Sequence, residues 1–146
     1  MKALIQRVSQ ASVSVNGQIV GAINRGYLVL LGVAEGDQDE DGKFLAEKIA
    51  NLRLFPNDEG KFDKSLVDIA GSILLVSQFT LLGDASKGRR PNFQKAARPE
   101  EATRLYERMQ AEFKKLGVKY ETGMFGAHME VTLVNDGPVT LMIESR

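Results

Sequence analysis

Tyr27-Leu28-Val29-Leu30-Leu31-Gly32-Val33 is a near-continuous apolar run. A half-buried strand would alternate, whereas an unbroken run of this length suits a central strand covered on both faces. On its N-terminal side, Ala3 to Val15 reads as a long strand whose later residues, Ala11-Ser12-Val13-Ser14-Val15, have period two. Asn16-Gly17 supplies a type I′ hairpin signal, since both residues tolerate positive φ. Gln18 to Ile23 then returns as the second strand, and Asn24-Arg25-Gly26 turns into the central run.

On the C-terminal side comes the acidic stretch Glu35 to Asp41, then a helix expected to carry Phe44, Leu45, Ile49 and Leu52 on one face. The acids suit a helix N-terminus, and their spacing does not match a calcium-binding EF-hand. Leu54 to Asp68 contains turn signals and reads as an irregular hairpin. Ile73 to Leu81 starts as a second buried strand and ends polar. Pro99 marks the first turn of a second helix, with Ala102, Leu105, Tyr106, Met109, Phe113 and Leu116 as its core stripe and Gly117 as its stop. Three strands are expected to finish the chain, at 119–121, 127–133 and 139–143. The resulting class is α+β, a single domain over residues 1–146. It has a mixed or antiparallel twisted sheet, or a barrel-like β core, and two main helices.

Composition narrows the chemistry. The 146 residues are 43% hydrophobic and 26% charged, ordinary for a globular protein, and carry 19 basic against 19 acidic side chains. No apolar run approaches a membrane span, and the N-terminus lacks a signal-peptide core, so a cytoplasmic location and no membrane partner are expected. There is no cysteine and one histidine, His128, which removes thiolate chemistry and leaves little for a zinc site. No metal and no cofactor are expected. His128 is read as a surface or half-buried strand residue. The neutral balance argues against broad nonspecific nucleic-acid binding, and no DNA partner is expected. Residues 85–99 nevertheless carry Lys87, Arg89, Arg90, Lys95 and Arg98 without an acid, either a solvated loop or a phosphate-contacting one.

Two stretches are unusual. Ser77-Gln78-Phe79-Thr80-Leu81 ends a buried strand with hydrogen-bonding side chains, and an unpaired buried polar group costs about 1–3 kcal/mol. Its plain reading is a strand emerging into solvent. Asn135-Asp136-Gly137-Pro138-Val139-Thr140 reads plainly as a turn between strands.

Together these two stretches resemble the signature motifs of the bacterial and eukaryotic D-aminoacyl-tRNA deacylase family, with no departure within either. The resemblance covers the whole chain, including Gln6-Arg7-Val8, the Asn16-Gly17 hairpin, Arg90-Pro91-Asn92-Phe93 and the stretch from Phe125 to Met129. It implies an editing hydrolase that cleaves the ester of D-aminoacyl-tRNA and of glycine mischarged on tRNA. It further implies a homodimer with its active site at the subunit interface, the strand-end motif of one subunit facing the Gly-Pro motif of the other. Ser77, Gln78, Phe79 and Thr80 would then be catalytic. Gly137 and Pro138, joined by a cis bond, would form a chiral filter, with Phe125, Ala127 and Met129 also binding substrate. Arg7 would brace the Gly-Pro element, and Lys87, Arg89 and Arg90 would contact tRNA. The family mode of hydrolysis implies help from the terminal 2′-hydroxyl of the RNA, with main-chain N–H groups near Phe79 and Thr80 stabilising the oxyanion; the alternative is nucleophilic attack by Thr80, whose hydroxyl has no adjacent His or Lys motif to activate it. A noncatalytic RNA-binding module is the alternative, and an editing domain assisting a tRNA synthetase a third.

Overall fold

A computed structural model describes residues 1–146. Strand β1 (Lys2–Val15) is the spine of a six-stranded mixed sheet. Its first half pairs antiparallel with β3 (Gly26–Gly32), and its second half with β2 (Gln18–Ile23). The Asn16-Gly17 turn between β1 and β2 has both residues at positive φ, 51° and 78°.

β3 pairs in parallel with β6 (Ser72–Ser77), and β6 in parallel with β7 (Lys119–Thr122). Parallel neighbours need crossover connections. The first carries α1 (Asp39–Asn51) and the small β4 (Phe55–Pro56) and β5 (Phe62–Lys64) hairpin; the second carries α2 (Pro99–Lys115). Gly21 of β2 lies so close to β7 that an added Cβ would sit 2.5 Å from the Thr122 carbonyl oxygen. The sheet therefore curls until β2 meets β7, giving a nearly closed, barrel-like core. No helix is long and apolar enough to cross a membrane.

The main core lies between the sheet and the two helices, built on Ile5, Tyr27, Leu45, Ile49, Leu105 and Phe113. Central β3 is buried at every residue but Leu30, as its unbroken apolar run requires. On α1, Leu45 and Ile49 are buried, but Phe44 is 45% exposed and Leu52 is the C-cap. Phe44 falls outside the apolar stripe, where its ring lies under Lys48 Nζ at 5.7 Å. Gly117 ends α2 at φ +71°, as the sequence requires.

Two expectations about strands fail. β6 stops at Ser77, and Phe79–Leu82 forms a single 3-10 turn rather than a continued strand. The chain ends in two strands, not three, because β8 (Glu130–Glu144) runs unbroken from the pocket to the C-terminus. β8 pairs antiparallel along nearly the whole of β1, from Lys2↔Glu144 to Ser14↔Glu130. The Asn-Asp-Gly-Pro stretch is therefore an excursion within one strand, held on both sides by the same partner.

Candidate active site

The carboxyl ends of parallel strands β3, β6 and β7 open on the same side, the usual location of ligand crevices in sheets with parallel strands. A cavity of about 610 Å³ lies there, lined mainly by apolar side chains. β6 delivers Ser77, Gln78 and Phe79 to its wall. The Gln78 N–H donates to the Leu31 carbonyl at 2.8 Å, which anchors the strand end before the chain turns. Gly32 makes room for the 3-10 turn, since a Cβ there would stand 2.6 Å from Leu82 Cδ2. The N–H groups that open such a turn have no acceptor within it. Here they belong to Phe79 and Thr80. Thr80 lies beyond the lining residues, and its hydroxyl accepts from the Gln78 side-chain amide. An amide is no base, so this contact does not activate Thr80 as a nucleophile.

The opposite wall follows β7. Gly123 N–H donates to the Leu75 carbonyl at 3.1 Å, and the turn from Met124 to Ala127 brings Phe125, Ala127 and Met129 into the lining. The Phe125 ring packs on Tyr106 of α2 at 5.8 Å between centroids. Tyr106 itself donates its hydroxyl to the Leu75 carbonyl at 2.7 Å. Burial pushes the Tyr106 phenol up to about 12, so it remains a donor at any physiological pH. His128 lies in this loop, before β8, and also lines the cavity. The strand placement read for it from sequence is thus corrected. It is exposed, and it is the one titratable side chain among the lining residues. Val33, Phe93, Ala96, Ala97, Pro99 and Ala102 also belong to the wall. None of these six residues was expected at the site from the sequence.

Gly137 and Pro138 lie elsewhere. In the β1–β8 ladder Val8 pairs with Asn135 and Gln6 with Thr140, so four residues, 136–139, stand opposite Arg7 alone. Asn135 staples the neck of this excursion: its Nδ2 donates to Thr140 Oγ1 at 2.9 Å, and its Oδ1 accepts from Val139 N–H at 3.2 Å. Arg7, only 8% exposed, donates through Nε to the Asp136 carbonyl at 3.0 Å and through Nη1 to the Leu54 carbonyl at 2.6 Å. The Gly137–Pro138 peptide bond is cis, and both residues are exposed. Gly137 sits at φ +132°, with Arg7 Nη2 3.1 Å from where a Cβ would be. Across the order β8-β1-β3-β6, Arg7 is level with Tyr27 and Ile73. Ser77 is thus three strand spacings, roughly 14 Å, and four residues along β6, roughly 13 Å, from the excursion. One chain brings Ser77, Gln78, Phe79, Phe125, Ala127 and Met129 together, and leaves Gly137 and Pro138 apart from them.

Lys87, Arg89 and Arg90 form the exposed tip of a loop closed by paired main-chain bonds between Asp84 and Asn92, both 2.8 Å. Phe93 follows this neck and meets the Phe79 ring edge-on at 5.1 Å and 67°. No group of three or more His, Cys, Asp or Glu lies close enough to hold a metal ion.

The family model described as D-Tyr-tRNA(Tyr) deacylase matches residues 4–144. The chain is 53% identical to a D-aminoacyl-tRNA deacylase of Halalkalibacterium halodurans, over 100% of both chains. It is 57% identical to a D-aminoacyl-tRNA deacylase of Geotalea uraniireducens, over 99% of this chain and 94% of the relative. A solved structure named c-Myc DNA unwinding element binding protein superposes with a TM-score of 0.93 at 41% identity, covering 100% of this chain and 99% of the other. The matched residues include both the strand-end motif and the Gly-Pro excursion, and the chain belongs to the D-Tyr-tRNA(Tyr) deacylase family.

Proposed function

We propose that this deacylase hydrolyses the ester of D-aminoacyl-tRNA, and of glycine mischarged on tRNA, at a site shared between two subunits of a homodimer. The observation that carries this reading is the separation of the two motifs. The cavity is lined by Ser77, Gln78 and Phe79, while the exposed Gly137-Pro138 element of the same chain is not part of its wall. A second copy supplies what the cavity lacks.

In this reading the cavity takes the 3′-terminal nucleoside and its aminoacyl ester, with Phe125, Ala127 and Met129 along the nucleoside. The partner copy closes the cavity with main-chain carbonyls of the Gly137-Pro138 element. A D-amino acid bonds these carbonyls through its amino group and directs its side chain away; an L-amino acid collides. Glycine has no side chain to reject. A thousandfold preference requires about 4 kcal/mol, within reach of one clash plus one lost amine contact.

Hydrolysis proceeds without a protein nucleophile. The RNA 2′-hydroxyl helps activate the attacking water, which adds to the ester carbonyl. The main-chain N–H groups of Phe79 and Thr80 hold the negative charge that develops on oxygen, and the ribose 3′-oxygen leaves. One such donor is worth about 10²–10³ in rate. The substrate is RNA rather than DNA in this mechanism because the neighbouring hydroxyl takes part. The test is release of tyrosine from D-tyrosyl-tRNA and L-tyrosyl-tRNA side by side, with D released rapidly and L spared. Equal release of both would end the chiral reading, and release of neither would favour a noncatalytic RNA-binding module.

A further inference from the structure

The residues that follow the cavity walls along the chain differ in charge. Along the chain, exposed Glu35 follows Val33, exposed Glu100 and Glu101 follow Pro99, and exposed Glu130 follows Met129; Glu101 is paired with Arg104 at 2.6 Å, and the Glu35 N–H donates to the Lys95 carbonyl at 2.9 Å. The loop between Phe79 and Phe93 carries Lys87, Arg89 and Arg90 at its exposed tip and one acid, Asp84, at its neck. Lys95 and Arg98 follow on the same segment. A polyanion that leaves the cavity across this edge meets these cations.

The two parts of this edge are built as a unit. The Asp84–Asn92 bridge fixes the neck of the basic loop, and Phe93 is the next residue after it. Phe93 lies close over Gly83, where a Cβ would stand 2.8 Å from its ring, so the glycine sets how near the loop comes to the 3-10 turn. Phe79 is left 55% exposed beside it, a large apolar face at the mouth of a cavity. An aromatic step next to a loop with an acid-free cationic tip is the arrangement that binds single-stranded nucleic acid: bases stack on the rings and phosphates meet the cations.

The geometry points to an exit path for the substrate RNA. The acceptor strand leaves the cavity over the Phe79–Phe93 edge, the base next to the terminal nucleotide stacks on these rings, and the preceding phosphates meet Lys87, Arg89 and Arg90. This path rests on the proposed substrate and gives it a direction across the protein surface.

The test compares D-tyrosyl-tRNA with the 3′-D-tyrosyl ester of adenosine, which has no upstream nucleotides. It adds binding of an uncharged RNA hairpin ending in a single-stranded 3′ tail, which does not depend on catalysis. Phe93→Leu should raise KM for the tRNA at least fivefold more than for the adenosine ester, and Phe93→Tyr should restore it. The double reversal Arg89→Glu/Arg90→Glu should lower the salt slope of hairpin binding by about two units. Equal losses on both substrates would reduce Phe93 to a scaffold and overturn the path. So would an unchanged salt slope, or a Phe93→Leu protein that sediments as a monomer, which would make this edge a subunit contact. If wild type cleaves neither ester yet binds the hairpin with the expected slope, the catalytic reading fails and the path stands.

Discussion

Arg7 Nε donates to the Asp136 carbonyl at 3.0 Å, joining residues 129 apart in sequence at the point where β8 leaves its ladder. The same guanidinium reaches the Leu54 carbonyl and lies 5.7 Å from the Phe62 ring. One side chain thus ties the Gly-Pro excursion to the segment between α1 and β4. Arginine's planar fork serves two carbonyls at once, which an ammonium on a shorter reach does not.

Arg7→Lys should therefore lower stability by about 1–3 kcal/mol, the cost of leaving a buried carbonyl unpaired. It should lower D-tyrosine release further than the loss of folded protein explains, since the excursion loses its brace. Urea unfolding and a rate per folded molecule read the two effects. A variant with wild-type rate and stability would show that the fork positions nothing.

The chemistry gives a second prediction. Thr80→Ala keeps the main-chain N–H groups and removes only the hydroxyl that accepts from Gln78. Its rate should stay within about tenfold of wild type, less than the loss of one oxyanion donor. A substrate charged through its 3′-oxygen but ending in 2′-deoxyadenosine should react roughly a hundredfold or more slowly, the worth of a proton-transfer group. A dead alanine variant together with normal turnover of the deoxy substrate would make Thr80 the nucleophile.

The α1 start predicts the response to acid. Asp41 receives Arg146 through two bonds, 2.6 and 2.9 Å, and accepts the Gln38 N–H at 2.7 Å. The Arg146 guanidinium, with the Gln38 N–H, holds its carboxyl well below the usual carboxylate range. A depressed carboxylate stabilises the fold above its unfolded value and loses that contribution as pH falls through the folded value. Arg146→Ala should thus be less stable than wild type at neutral pH. The gap should close as pH drops below about 4. Thermal unfolding at several pH values reads it, and a gap that widens in acid would contradict the pairing.

How much of this was legible in the sequence depended on how local the cause was. The β1–β2 hairpin was readable because Asn16 and Gly17 themselves supply the positive φ that the turn needs. The end of α2 was readable at Gly117 for the same reason. The Asn135–Thr140 stretch carries equally strong turn residues, yet it makes no turn between strands. Its neighbours on both sides pair with β1, and that partner lies more than a hundred residues away. Phe44 follows apolar spacing but misses the sheet, because packing rather than spacing decides which side of α1 faces inward. The motif residues Ser77 to Phe79 and Phe125 to Met129 could be named from sequence resemblance. Phe93, Ala96 and Ala97 could not be assigned to the cavity, since only the parallel pairing of β3, β6 and β7 brings their segment to its mouth.

The shared site is tested most directly by complementation between two crippled subunits. Ala127→Phe fills the cavity, and Gly137→Val places a branched side chain where even a Cβ would stand 2.8 Å from Val139 Cγ2. Each variant alone should release little D-tyrosine. Co-expressed with different tags and purified as a heterodimer, they form one site with both defects and one with none. The heterodimer should regain about half of wild-type activity. A heterodimer as inactive as either parent, or a wild-type protein that is a fully active monomer, would show that one chain holds the whole site.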